Sequence, residues 1–190
     1  MSGMSRLEAV NLILSATGDD PVSSLADEAA ADTLAAEQRL DAEDREVQTQ
    51  GWYFNTYEKT YSPDSSGKVY IPGTVLYVDA DEGYRYSVQE GVLYDLLNDT
   101  TTFTSAVTLT VVERLAWEKL PGPAQQYIAS LAARRYADRQ LTDPTLSQYL
   151  REDEARAYAA LRKAHTRAGN FSIFGPNERT AFLRGGPYSL

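Results

Sequence analysis

The apolar positions follow a helical spacing at both ends of the chain and an alternating spacing in the middle. Near the start, Leu7, Val10 and Leu14 recur at intervals of three and four residues, which places them on one face of a helix. Ser5 and Glu8 have the spacing of a capping box. We therefore predict a first helix with Ser5 as its N-cap.

The pattern changes at residues 48–55, which read QTQGWYFN. Before this stretch, an alanine-rich segment from about Asp27 to Gln50 predicts a second helix with a thin apolar stripe. Gly51 supplies the left-handed residue that can end it. From there we expect an alternating strand in which Trp52 and Phe54 point to the core.

Residues 52–112 are rich in strand signals. The clearest is the alternation of Val107, Leu109 and Val111 with threonines. A hairpin is predicted around residues 89–91. We expect a small antiparallel sheet with one face covered by helices.

Two further helices are predicted after residue 112, beginning near Pro123 and Pro144, because proline is favoured in the first turn of a helix. The third helix carries three arginines in its last turns, where cations complement the helix dipole: Arg134, Arg135 and Arg139. The predicted core comprises Leu7, Val10, Leu14, Trp52, Phe54, Ile128, Leu131, Leu150 and Leu161.

Residues 170–190 combine five glycines and prolines with large apolar side chains. A disordered tail is poor in aromatics, so we interpret this segment as an extended arm that docks onto a partner. Packing on its own domain is the alternative. The arm's candidate interface residues are Phe171, Ile173, Phe174, Phe182 and Tyr188.

Together these elements predict an α+β fold. About four helices form a bundle from residues 1–51 and 113–169, a small antiparallel β-sheet region is inserted at residues 52–112, and an extended C-terminal arm occupies residues 170–190.

Charge is unevenly distributed. Residues 1–112 carry six Lys and Arg against 19 Asp and Glu, a balance of −13, whereas residues 113–190 carry 12 against eight, a balance of +4. An acidic front and a basic back indicate two surfaces that face different partners. The total of −9 argues against a general nucleic-acid binder.

The chain has few of the residues that catalysis or metal binding requires. It has no cysteine and one histidine, His165, so neither a nucleophilic triad nor a transition-metal cluster is expected. No nucleotide-binding motif occurs. We therefore expect no cofactor and no enzymatic activity. No apolar stretch approaches the length of a membrane span, and the start does not have the pattern of a signal peptide.

Two alternatives remain open. Carboxylates such as Asp79 and Asp81, in a predicted loop, could cleave a glycosidic bond, which would make the chain a tail-associated polysaccharide-degrading enzyme. The chain could also be a free-standing soluble interaction module, monomeric and with a disordered tail.

The order helix, helix, small sheet, helix, helix, apolar tail resembles the tail tubular protein A family of short-tailed phages. In residues 7–25 the shared features are a Val-Asn in the first helix, then a glycine, then Pro-Val before Ser-Leu. Residues 93–95 and 113–128 fit more loosely, and the resemblance covers about residues 6–168. The positions shared at the helix-to-strand joint are Gln48, Gly51, Trp52, Phe54 and Asn55.

This resemblance implies a structural virion protein, made in the host cytoplasm, that forms a dodecameric adaptor ring between the capsid portal and a nozzle like tail tubular protein B. DNA would leave the head through the lumen without specific binding. The helical part would pack under the portal, the arm would grip it, and the sheet region would face nozzle and tail fibres. We expect the basic part, including Arg134, Arg135 and Arg139, to meet the portal.

Overall fold

The computed structural model describes residues 3–25, 30–80, 83–140 and 144–172, with the backbone alone for residues 170–172. The helices are α1 (Arg6–Ser15), α2 (Ala31–Thr49), α3 (Gly122–Gln140) and α4 (Pro144–Ser172), with a short 3-10 helix at Trp117–Lys119. The strands are β1 (Thr56–Tyr61), β2 (Val75–Asp79), β3 (Tyr86–Gln89), β4 (Val92–Asp95) and β5 (Val107–Glu113). The predicted α+β class is confirmed.

The chain divides into two compact units. One contains the residues up to Val47 and those from Ala116 onward, and the other is Gln48–Leu115. The first, called here the helical unit, contains α1, most of α2, α3 and α4. The second, called here the sheet unit, contains all five strands.

Helix α3 lies at the centre of the helical unit and packs against α1 and α4. Eleven of its 19 residues are buried, and a helix that is buried on most sides forms a core. Five of the buried residues are alanines, which let neighbouring helices approach closely. Ile128 of α3, Leu14 of α1 and Leu161 of α4 are all almost completely buried.

The ends of the helical elements have their local signals satisfied. The capping box predicted at Ser5 is present: the Ser5 hydroxyl accepts a hydrogen bond from the Glu8 N–H, and the Glu8 carboxylate accepts one from the Ser5 N–H. Buried Gln125 at the start of α3 accepts from the Met4 N–H at 2.9 Å and donates to the Trp117 carbonyl at 2.8 Å. These bonds tie the segment before α1 to the beginning of α3.

The sheet unit contains a three-stranded antiparallel sheet in the order β1-β5-β2 and a two-stranded β3-β4 hairpin. The hairpin turn lies at Glu90 and Gly91, which both have positive φ, as a type I′ turn requires. In the central strand β5, Leu109 and Val111 point into the core, and their neighbouring threonines point the other way. The core of this unit is Tyr61, Val69, Ile71, Val78, Leu93, Leu109 and Val111.

The predicted strand at Trp52 is wrong. Residues 53–55 form a turn, and β1 begins at Thr56. Trp52 is buried as expected, but Phe54 is only half-buried and meets the ring of Tyr53 edge-on at 5.3 Å. Asn55, expected on the outer face, is fully buried. The turn replaces the alternation because the Asn55 side chain binds backbone groups on both sides of it.

Other boundaries differ by a few residues. The described part of α2 begins at Ala31, and Asp27 lies outside the described residues. Of the remaining predicted core, Leu7 and Leu150 are half-buried; Leu150 lines an open groove in the helical unit. The other predicted core residues are buried: Val10, Leu14, Trp52, Ile128, Leu131 and Leu161.

Candidate assembly surfaces

The QTQGWYFN segment is a hydrogen-bonded joint inside the sheet unit. The Gln48 side chain donates to the Leu115 carbonyl at 3.0 Å and accepts from the Leu115 N–H at 2.7 Å. The Asn55 amide donates to the Gln48 carbonyl at 2.9 Å and accepts from the Trp52 N–H at 2.8 Å. Gly51 has φ +75°, as a residue ending a helix often does. The motif therefore has a structural role.

Arg134 and Arg135, two of the predicted portal-facing cations, form ion pairs inside the helical unit. Arg135 contacts Glu43 and binds Glu46 with both terminal nitrogens. Arg134 binds Asp138 at 2.9 Å and also contacts the Glu154 carboxylate. Both arginines thus link elements of their own subunit.

Glu43 is the buried centre of this ion-pair group, with a side chain only 1% exposed. It lies between Arg39, at 3.0 Å, and Arg135. Hydrogen bonding to Glu46, more than its burial, raises the pKa of Arg135. The sequence did not indicate these partners, since Glu43 and Arg135 are 92 positions apart.

Arg139 is exposed, unlike Arg134 and Arg135. The second half of α4 adds further exposed cations, Arg156, Arg162, Lys163 and Arg167, and carries no acidic residue after Glu154. Of the candidate arm residues, Phe171 lies in the last turn of α4, where only the backbone is described. Ile173, Phe174, Phe182 and Tyr188 lie outside the described residues.

Exposed apolar side chains are concentrated in the sheet unit. Among the described residues, seven of the nine large apolar side chains that are exposed belong to it. Exposed apolar groups that cluster on one part of a protein mark interaction surfaces. The seven are Tyr57, Tyr70, Tyr77, Tyr84, Val88, Leu96 and Leu97.

The acidic loop proposed for the glycan-cleaving alternative is described only in part. The Asp79 carboxylate accepts a hydrogen bond from the Ala80 N–H at 2.9 Å, and Asp81 lies outside the described residues. Within residues 3–25, 30–80, 83–140 and 144–172, no three His, Asp or Glu side chains converge as metal ligands would. The same ranges contain no helix long and apolar enough to cross a membrane.

Comparison with known proteins identifies the class. Residues 7–171 match the family described as "Tail tubular protein". Over 183 residues the chain is 31% identical to "Tail tubular protein A" of Klebsiella phage KP34, and the alignment covers 95% of each chain. The protein is thus a structural component of a phage tail. It belongs to the tail tubular protein family, and the resemblance drawn from its sequence is confirmed.

Proposed function

We propose that this chain is the head-to-tail adaptor of a short-tailed phage. In this proposal a dodecameric ring joins the capsid portal to the tail nozzle and encloses part of the channel through which DNA leaves the head. The observation that carries the proposal is the 31% identity to "Tail tubular protein A" over 95% of both chains. Such coverage leaves little of either chain unmatched.

The surfaces of the two units support an assembly role. An adaptor needs separate surfaces for the neighbouring subunits and for the structures above and below it. The sheet unit supplies exposed apolar side chains, and the second half of α4 supplies exposed cations. We assign the sheet unit to the nozzle and tail-fibre side, and the basic part of the helical unit to the portal side.

The charge balance supports a lumen that does not hold DNA. The 112 residues at the front of the chain carry a balance of −13. An acidic wall repels the DNA phosphates and favours sliding, whereas a basic wall would retain DNA. We therefore assign lumen and nozzle-facing surface to the acidic portion.

The portal-facing cations can be chosen more sharply from the structure. Reversing the charge of Arg134 or Arg135 would break ion pairs inside the helical unit, so a loss of portal binding would have two explanations. Arg139 is exposed and is the better choice of the three. Arg162 and Lys163 of α4 are also exposed and extend the set.

The test measures mass. The purified chain is examined alone and with its cognate portal by native mass spectrometry and sedimentation, and one copy bound per portal subunit is the expected result. A chain that ignores the portal at low salt would overturn the adaptor assignment.

A second measurement tests the portal face. The triple variant Arg139→Glu, Arg162→Glu, Lys163→Glu should weaken portal binding, more so at low salt because screening is weaker there. Its matched control reverses Lys59 and Lys68 of the sheet unit. If both variants bind the portal equally well, the basic part does not meet the portal.

A further inference from the structure

A short rigid loop of the sheet unit holds two leucines in solvent. Leu96 and Leu97 follow β4 and are 48% and 54% exposed. The Asp95 carboxylate beneath them accepts hydrogen bonds from the backbone N–H groups of Leu97 and Asn98, at 2.9 and 3.0 Å. The backbone of Asp95 also pairs with that of Thr100 across the loop. We call this feature the leucine knob.

Two further contacts fix the shape of the loop. The Asn98 amide donates to the second Asp95 oxygen at 2.8 Å, and this bond, with the backbone bonds, holds the pKa of Asp95 below its usual range. Asp99 has φ +53°, unusual for a residue other than glycine, and its carboxylate accepts from the Tyr94 hydroxyl. The knob is therefore preorganised, which lowers the entropy cost of binding.

The helical unit contains an open groove that suits such a knob. The groove lies among α1, α3 and α4 and has a volume of about 580 Å³, within the size range of ligand pockets. Leu12, Leu146 and Leu150 supply its large apolar side chains, and Ala133 and Ala157 form part of its floor. It offers apolar surface with little side-chain bulk to displace.

We propose that the leucine knob of one subunit inserts into this groove on a second copy of the chain. Both features are solvent-exposed in the single chain, and they lie on different units. Contact between two different patches is heterologous, the type that generates rings when the rotation closes. The inference rests on the proposed function, for which it supplies the subunit-to-subunit contact.

Charge complementarity favours a second copy as the occupant. The sheet unit carries four Lys and Arg against nine Asp and Glu, a balance of −5, and α4 carries five against three, a balance of +2. Exposed Asp99 lies beside the leucines. Arg156, whose side chain is 72% exposed, stands at the rim of the groove. An acidic unit that approaches a basic helix is attracted before the apolar contact forms.

Disulfide trapping tests this contact in a background without other thiols, because the chain has no cysteine. The variant Leu97→Cys, Ala160→Cys places one thiol on the knob and one on the exposed lip of the groove. Its matched control, Leu97→Cys, Ala159→Cys, moves the second thiol to an adjacent exposed alanine that does not line the groove. A disulfide requires Cα atoms within about 7 Å, so the two variants differ sharply in reach.

The protein is assembled on its cognate portal, oxidised and run on a non-reducing gel. We expect a ladder of linked subunits from the first variant, with about tenfold more product than from the control, because the contact holds the thiols at high effective concentration. Equal yields from both variants would overturn the inference. So would a stronger link from Phe182→Cys to Ala160→Cys, since residues 173–190 would then occupy the groove.

Mixing two defective variants adds a second readout. Leu97→Asp removes the knob, and Ala160→Arg fills the groove at an exposed position. Neither variant should associate with itself, but a mixture should form pairs through the one intact knob and the one intact groove. Ala159→Arg is the control for the groove and should associate normally. Self-association of both defective variants would overturn the inference.

The outcomes separate this inference from the proposed function. Wild-type chain that joins the portal in several copies without the knob-to-groove link supports the adaptor and refutes the contact. Chain that ignores the portal but still forms the link at high protein concentration supports the contact and refutes the adaptor.

Discussion

Replacing Gln48 with leucine should destabilise the sheet unit while leaving its packing volume nearly unchanged. The Gln48 side chain is fully buried and satisfies both backbone groups of Leu115. Leucine cannot satisfy either of them. A buried polar group that loses its partner costs about 1–3 kcal/mol.

The half-buried position of Leu115 sets the magnitude. Water can partly rehydrate its N–H and C=O groups, so each takes a value in the lower part of that range. We expect Gln48→Leu to lower the free energy of unfolding by about 2–4 kcal/mol. The matched control is Gln148→Leu, an exposed glutamine of α4 that donates to Glu152 at 3.1 Å. It should change the free energy by less than about 0.5 kcal/mol.

The assay is urea unfolding followed by tryptophan fluorescence. The chain has two tryptophans, Trp52 in the sheet unit and Trp117 in the helical unit. A Trp117→Phe background therefore reports on the sheet unit through Trp52. The midpoint should fall for Gln48→Leu with an unchanged denaturant slope. If Gln48→Leu and Gln148→Leu unfold at the same urea concentration, the Gln48 bonds to Leu115 do not stabilise the sheet unit as argued.

Three further predictions concern stability. Glu43→Ala should cost about 3–5 kcal/mol, because it leaves partly buried arginines without their shared carboxylate, whereas Glu46→Ala, at a 52% exposed side chain, should cost about 1 kcal/mol or less; equal urea midpoints would contradict this. Hydrogen bonding from Arg135 holds the pKa of Glu46 below its ordinary value of 4.5. This contribution is present above that pH and lost as the pH falls through the folded-state pKa, so Glu46→Gln should lose less stability on acidification than wild type. Gly51→Ala, where a Cβ would lie 3.2 Å from Thr56 and Val112 side-chain atoms, should lower the melting temperature more than Gly18→Ala, where nothing lies within 4 Å; both also incur about 1–2 kcal/mol for the left-handed backbone.

Elements with local causes could be predicted from the sequence. The capping box at Ser5 and Glu8 needs only four consecutive residues, and strand β5 needs only its own alternation. The hairpin turn at Glu90 and Gly91 is likewise set by adjacent residues. In each case the deciding interactions lie within a short stretch of chain, so the pattern of that stretch was sufficient.

Features that depend on distant partners could not be predicted. Trp52 and Phe54 alternate as strand residues do, but the bond from Asn55 to the Gln48 carbonyl makes a turn there. The cations at the end of α3 were visible in the sequence, but the Glu43 partner of Arg135 belongs to α2. Such partners are chosen by the packing of helices, and a single sequence gives no spacing rule for them.

The hydrogen bonds between Gln48 and Leu115 also bear on how this architecture can vary. They bring together two residues 67 positions apart, at the points where the chain leaves the helical unit and returns to it. An insertion whose two ends adjoin demands little of its host, as with tolerated domain insertions. The sheet unit can therefore be regarded as an exchangeable cassette, so a phage could acquire a new tail-facing surface by recombination at these two points while keeping its helical scaffold.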